Sequence, residues 1–162
     1  MRIVIAVGIA GLLLFNAATP AAAAGDLDAN KQLVRDYIDT AINKRQPDTA
    51  ERYFAADYVE HNPHLPPGID GKKKFIGAVL KGFSDYHGEI EDIVAEGDEV
   101  VTRTLWTGTQ DGPFLGRPAT GNKVQFATSD FYRIDNGKVV EHWDVVDSLT
   151  RAVALGLVSP PK

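Results

Sequence analysis

Apolar side chains in the first part of the chain recur at the spacing of amphipathic helices. From residue 28 they repeat every three or four positions, and the repeat fades near residue 44, which predicts a first helix. Pro47 suits the first turn of a short second helix over residues 49–54. A third helix is predicted over 71–83, with the run Lys72, Lys73 and Lys74 in a solvent-exposed first turn.

The pattern changes to strands in the second half of the chain. A brief strand over 58–62 ends at Pro63, and beyond residue 83 four longer segments alternate, at 86–96, 99–109, 123–134 and 138–147. Asn136 and Gly137 form the kind of turn that joins antiparallel strands, and 149–157 predicts a short terminal helix or tail. Helices followed by hairpin-connected strands predict one α+β domain, a curved antiparallel sheet wrapped by three N-terminal helices.

Residues 1–24 have the pattern of a secretory signal peptide. Arg2 carries the only charge before Asp26, residues 3–15 are apolar, and the alanines of 22–24 offer a cleavage site before Gly25. The apolar run is shorter than the roughly 20 residues of a membrane-spanning helix. We expect a mature domain of residues 25–162 that is periplasmic or secreted and not stably inserted in a membrane. The alternative is an uncleaved membrane anchor.

The residue composition excludes several kinds of partner and catalytic group. There are 17 Lys plus Arg against 22 Asp plus Glu, so no broad basic surface exists for phosphates and no nucleic-acid partner is expected. The absence of Cys excludes disulfides, a thiolate nucleophile and a Cys-based zinc site. His61, His64 and His142 are weak metal candidates, because His61 and His64 flank Pro63 without helical spacing. We expect no metal and no organic cofactor.

Polar residues occupy an otherwise apolar face of the last two predicted strands. Period-two alternation places Asp130 on one face of its strand, and His142 and Asp144 on one face of the next. Counted from the turn, Asp130 lies opposite His142 or Asp144, which brings three titratable groups onto one concave face. The apolar side chains predicted to line this face are Phe126, Val140 and Val146. An apolar pocket with a few convergent polar groups is typical of an active site.

Such a cluster suits proton transfer. Burial in an apolar pocket raises the pKa of a carboxyl group, so Asp144 is the candidate general acid or base, with His142 or Asp130 orienting it or sharing its proton. Asn62 and Thr128 are candidate hydrogen-bond donors to an enolate oxygen. The alternative is that the three titratable groups form a satisfied hydrogen-bond network or lie solvated at the sheet rim.

Several segments together resemble a known family. They are Tyr58–Pro63, Gly108–Thr109, Gly116–Gly121, Asp130–Ile134 and Gly137–Asp144, the last with the sequence Gly-Lys-Val-Val-Glu-His-Trp-Asp. Across residues 28–147 the chain resembles the SnoaL-like polyketide cyclases, of the nuclear-transport-factor-like cone fold. The resemblance implies a cone around a deep apolar pocket, a homodimer, and cofactor-free aldol cyclisation of an aromatic polyketide.

The same resemblance places functional residues. The family's acid/base aspartate falls on Asp144, and the polar residue after its first short strand falls on Asn62. Two further pocket positions fall on Thr128 and Asp130, where the family pattern has an amide and an imidazole. Because a hydroxyl and a carboxylate replace that amide and imidazole here, a different substrate is indicated.

Two functions of different classes follow. The first is an exported acid/base enzyme acting on a small apolar carbonyl compound, with aldol-type cyclase, isomerase or hydrolase-like chemistry. Its predicted catalytic residues are Asp144, His142 and Asp130, and its predicted substrate-contacting residues are Asn62, His61, Thr128, Phe126 and Trp106. Trp106 is alternatively plain core packing. The second function is a non-catalytic ligand-binding module of the same fold.

Overall fold

The computed structural model describes residues 26–160. The helical elements are α1 (Leu27–Tyr37), a π-helical continuation (Ile38–Asn43), a 3-10 helix (Pro47–Arg52), α2 (Gly68–Gly82) and α3 (Ser148–Ala154). The strands are β1 (Phe54–Glu60), β2 (His87–Glu96), β3 (Glu99–Thr109), β4 (Lys123–Asp135) and β5 (Lys138–Val146). Within this described part of the chain, no helix is both long and apolar enough to cross a bilayer. The predicted signal peptide lies outside the described residues.

The five strands form one open sheet in the order β1-β5-β4-β3-β2. Strands β2 to β5 pair antiparallel in chain order, with two-residue turns between β2 and β3 and between β4 and β5 and a longer loop between β3 and β4. The predicted α+β cone is therefore confirmed, with one difference: β1 joins β5 in parallel. That pairing escapes a hairpin-based prediction, because the two strands are separated by most of the domain.

The core lies between the helices and the concave face of the sheet. Tyr37 of α1 meets Phe54 edge to face with ring centroids 4.8 Å apart, and Phe54 meets Tyr58 in the same way at 4.8 Å. Such pairs contribute about 0.5–1.5 kcal/mol beyond their area burial. The largest fully buried side chains are Tyr132, Val34, Val100, Val139, Thr102 and Thr104. This packing fixes β1 against the sheet and so sets the position of the residues at its carboxyl end.

A β-bulge in β5 decides which residues face the core. Val139 is paired with Ile134 but Glu141 with Arg133, so Val140 is an extra residue in the register. The prediction that Val140 lines the concave face is therefore wrong; Val139 is the buried residue there, with no exposed surface.

The predicted boundaries hold best in the sheet. The bounds predicted for β3 are confirmed, and those of β2, β4 and β5 differ by one residue. The second predicted helix is a 3-10 helix that ends at Arg52, because Phe54 already belongs to β1. The predicted first strand begins four residues earlier and ends at Glu60, while α2 begins three residues earlier, at Gly68.

Candidate active site

A cavity lies between the helices and the concave face of the sheet. It has about 660 Å³ of empty space, its open mouth included. Its apolar wall comes from the π-helical continuation of α1, from α2 and from the sheet. The polar and charged lining residues are Tyr37, Lys72, Tyr86, Thr128, Asp130, Tyr132, His142, Asp144 and Arg151.

Behind this wall, Glu60 is the centre of a buried charged network. Its side chain is 1% exposed, and its Oε2 atom lies 2.8 Å from the Lys72 ammonium. The Tyr58 hydroxyl donates to the same oxygen at 2.6 Å, and the backbone N–H of Asn62 donates to Oε1 at 3.1 Å. The His142 Nδ1 atom is 3.0 Å from Oε1. Each carboxylate oxygen thus has at least two polar partners.

The network continues through His142 into the cavity. Its Nε2 atom lies 3.2 Å from Oδ1 of Asp130, so the imidazole bridges two carboxylates. The Thr128 hydroxyl donates to Oδ2 of Asp130 at 2.5 Å, and the Trp106 indole N–H donates to Thr128 at 2.8 Å. A continuous chain of hydrogen bonds therefore runs from the end of β1 to β3.

Partners determine the charge of Glu60. Burial alone would raise the pKa of this carboxyl group, but hydrogen bonds and positive charge from His142 and Lys72 together hold it well below its usual range. Burial also raises the pKa of Tyr58, and the neighbouring Glu60 charge adds to that effect. The tyrosine is therefore a neutral donor and Glu60 an ionised acceptor.

Asp144 has a different environment on the same wall. It faces Asp130 across the β4–β5 pairing and is only partly buried. The Asn62 amide Nδ2 lies 2.7 Å and 3.0 Å from its two carboxylate oxygens. Burial raises its pKa, and the charges of Asp130 and Glu60 raise it further, while His142 and Asn62 act in the opposite direction. The pKa of Asp144 is thus raised above that of a solvated aspartate, on the wall of the cavity.

Most of the predicted site residues meet at this cavity. Those on its wall are Trp106, Phe126, Thr128, Asp130, His142 and Asp144. Asn62 and His61 instead border an adjoining outer cleft that also includes Asp144. The His61 Nε2 atom is 2.8 Å from Glu141, and its ring stacks on Trp143 with centroids 4.3 Å apart. His61 thus lies at the mouth of the cavity rather than within it.

The two expected enolate donors are already engaged. The Thr128 hydroxyl hydrogen is donated to Asp130, and the Asn62 amide nitrogen donates to Asp144. In this arrangement both side chains hold a carboxylate in place. Within residues 26–160, no group of three or more His, Asp or Glu side chains is arranged to hold a metal ion.

Two residues of the network were missed by sequence reasoning. The prediction that Lys72 is solvated is wrong, since it is 5% exposed. The burial of Lys72 could have been predicted, because Lys72, Ile76 and Val79 share the four- and three-residue spacing of the buried face of α2. Glu60 lies two positions after the buried Tyr58, hence on the same face of β1.

Comparisons with known proteins agree with this fold. A family model described as SnoaL-like polyketide cyclase matches residues 31–155. The aklanonic acid methyl ester cyclase DnrD of Streptomyces peucetius is 30% identical over 132 residues, covering 76% of this chain and 88% of that protein. The structure of TsrD from Streptomyces laurentii matches with a TM-score of 0.74 and 30% identity, over 81% of this chain and 97% of TsrD.

A second solved structure gives the same result. AclR from Streptomyces galilaeus matches with a TM-score of 0.76 and 28% identity, over 84% of this chain and 86% of AclR. The family model spans most of the domain, and the matches to DnrD and TsrD run over most of the length of those proteins. The chain therefore belongs to the SnoaL-like polyketide cyclase family.

Proposed function

We propose that this protein is an exported, cofactor-independent acid/base enzyme that acts on a small apolar carbonyl compound, with Asp144 as the group that moves the proton. The observation that carries the proposal is the placement of Asp144: a partly buried carboxyl group with a raised pKa, on the wall of an apolar cavity. A base of this kind works best when its pKa lies nearer the working pH than that of a solvated carboxylate. Membership of the cyclase family supports the same class of reaction.

The proposed step is removal of a proton from a carbon next to a carbonyl. The ionised Asp144 takes the proton, and the electron pair of the C–H bond moves onto the carbonyl oxygen to form an enolate. In an aldol cyclisation the enolate carbon then attacks a second carbonyl, and the alkoxide that forms takes the proton back from Asp144. In an isomerisation Asp144 returns the proton to a carbon of the enolate instead. Asn62 orients the carboxylate through its two short contacts, and the network of His142 and Asp130 fixes the wall beside it.

A binding module is the second candidate. One observation favours it: the hydroxyl of Thr128 and the amide of Asn62, the donors expected for an enolate, are both committed to carboxylates. In that case Asp144 contributes to ligand affinity, with no turnover to lose.

Proton exchange at carbon distinguishes the two functions. Bicyclic aryl ketones such as 1-tetralone are incubated with the full-length protein in D2O, and exchange of the α-protons is followed by NMR. Under the proposal, the wild type accelerates exchange over buffer and Asp144→Asn reduces that acceleration by about 100-fold or more. The matched control is Asp57→Asn, at an exposed position of β1, which retains the wild-type rate.

Each outcome has a definite meaning. Equal exchange by the wild type and Asp144→Asn would remove Asp144 from the mechanism. Saturable ketone binding that changes with Asp144→Asn, with no exchange above buffer, would establish the binding module instead.

Export is the second part of the proposal. It is supported by the targeting pattern of residues 1–24, the apolar stretch followed by small residues. Cell fractionation with N-terminal sequencing tests it, with a periplasmic or secreted product beginning at Gly25 expected. A cytoplasmic product that retains Met1 would contradict it. The homodimer implied by the family resemblance stays a prediction, checked by sedimentation equilibrium.

A further inference from the structure

Arg151 is a cation of the cavity that the proposed proton transfer does not use. It lies in α3, which follows β5 directly and is fixed at both ends. The Asp147 carboxylate caps the helix by accepting from the Thr150 N–H at 3.1 Å, and Leu155 after its last turn is 5% exposed. A short helix anchored in this way holds the guanidinium against the cavity.

Arg151 is partly buried, and its guanidinium lies over an aromatic ring. Its guanidinium carbon is 5.6 Å from the centre of the Phe126 ring, and it borders the main cavity, the outer cleft and a smaller pocket towards Leu155. Among residues 26–160, no carboxylate lies within 4 Å of it and no side-chain hydrogen bond holds it. Lys72, the other cationic side chain on the main cavity, is by contrast paired with Glu60 at 2.8 Å.

Arg151 and Asp144 both line the main cavity and the outer cleft, but no ion pair within 4 Å joins them. Arg151 stands over Phe126, whereas Asp144 is paired in register with Asp130. Phe126 and Asp130 are four residues apart on β4, about 13 Å at 3.3 Å per residue. The positive charge of Arg151 correspondingly opposes the upward pKa shift that burial imposes on Tyr86. The carboxylates of Asp130 and Asp144 thus lie near one end of this stretch of β4, with Lys72 and His142 beside them, and Arg151 lies over the other end.

We propose that Arg151 binds a carboxylate carried by the substrate, at the far end of an apolar, ring-containing body whose carbonyl lies at Asp144. A guanidinium recognises a carboxylate through two parallel hydrogen bonds, and this guanidinium has no such partner among the described residues. Asp130 and Asp144 repel the same group, which favours the orientation that places the ligand carboxylate at Arg151. This inference rests on the proposed function, and it names an acid as the substrate class, where the relative DnrD is named for a methyl ester.

A matched pair of probes tests the inference without turnover. The affinities of 2-naphthoate and methyl 2-naphthoate for the full-length protein are measured by calorimetry, and their ratio is the readout. The wild type is expected to prefer the carboxylate, and Arg151→Gln to lower that ratio about 10-fold or more, because a hydrogen-bonded charge pair is lost. Arg151→Lys keeps the charge but not the planar fork, and is expected to fall between the two.

The control is Arg35→Gln, which removes the same charge from an exposed position of α1 and is expected to leave the ratio unchanged. Equal affinity of the wild type for acid and ester would overturn the inference, as would an equal loss for both probes in Arg151→Gln. Absence of saturable binding of either probe would overturn it as well.

The variant Asp144→Asn distinguishes a failure of this inference from a failure of the proposed function. If Asp144 is the base and Arg151 the carboxylate site, this variant loses proton exchange and retains the carboxylate preference. A third result is proton exchange that depends on Asp144 together with an acid-to-ester affinity ratio that Arg151→Gln does not change. That result would support the proposed enzyme and contradict only the inference that its substrate is an acid.

Discussion

Two carboxyl groups of this domain, Glu60 and Asp144, are both withdrawn from water, yet their pKa values move in opposite directions. Glu60 is the more deeply buried, and its pKa is lowered; Asp144 is only partly buried, and its pKa is raised. Burial works in the same sense on both groups, so it cannot be the cause of the difference.

The difference lies in the partners. Glu60 receives an ammonium from Lys72, an imidazole from His142 and a phenol from Tyr58, in addition to a backbone N–H. Asp144 receives one neutral amide and faces a second carboxylate. The pKa of a buried carboxyl group is therefore lowered when cations contact it directly, as at Glu60, and raised where burial and neighbouring carboxylates outweigh the charge of His142, as at Asp144.

The largest effect on this comparison is expected when the Lys72 ammonium, the cation paired with Glu60, is removed. Lys72→Met is expected to lower the free energy of unfolding by about 3–5 kcal/mol, because it leaves a buried charge with half of its compensation. Urea unfolding at pH 7 measures the change. Lys74→Met, on the exposed side of the same helix, is the control and is expected to have little effect.

The double variant Lys72→Met with Glu60→Gln sharpens this test. Since it removes both charges, it is expected to recover much of the stability lost in Lys72→Met. Equal stability of the Lys72→Met and Lys74→Met proteins would mean that the ion pair does not hold the network together.

A smaller effect is expected when Asp144 loses its one donor. Asn62→Ala removes the two contacts to the carboxylate and should raise the Asp144 pKa further, by about one unit, the value of one hydrogen bond to a charged group. Side-chain carboxyl NMR across a pH titration measures it. Gln125→Ala, which removes an exposed amide of β4, serves as the reference; an equal shift in both variants would contradict the assignment.

The smallest expected effect concerns stability against pH. A raised pKa means that the folded protein holds the proton more tightly than the unfolded chain, so Asp144 lowers the free energy of unfolding as the pH rises from 3.8 through its folded value. Asp144→Asn does not titrate, so its free energy of unfolding does not fall in this way. Over the same pH range it is expected to become more stable than the wild type by at most about 1 kcal/mol, since the group is partly exposed.

Thermal unfolding at successive pH values measures this gain. The stability difference should grow with pH and then become constant. Asp57→Asn, at an exposed site, should show no trend of this kind. A difference that shrinks with rising pH would mean that the Asp144 pKa is lowered rather than raised.

Local patterning predicted the antiparallel strands and part of the sheet side of the cavity wall. Strand alternation and the Asn136–Gly137 turn placed Asp130 opposite His142 or Asp144, because hairpin register follows from the turn, and the structure pairs it with Asp144. The bulge at Val140 was not predictable in this way, since one extra residue reverses the alternation without any change of composition.

The buried network was harder for two physical reasons. Lys72 begins a run of three lysines, which is typical of a solvated helix turn, although its spacing to Ile76 places it on the buried face. Glu60 and His142 meet only because β1 pairs in parallel with β5, a contact between distant segments that no local period encodes. The positions of Glu60 and Lys72 relative to the site thus depend on long-range strand pairing and helix packing. The position of Asp144 depends on the local β4–β5 hairpin, which the sequence predicts.

The two tryptophans of the chain stand on opposite sides of the cavity wall. Trp106 lies inside, stacked on Tyr86 with ring centroids 5.4 Å apart, and Trp143 lies outside beneath His61. Replacing Trp143 with Phe therefore leaves a single indole whose emission reports on the cavity contents alone. The protein carries its own fluorophore for screening ligands, and no label need be attached.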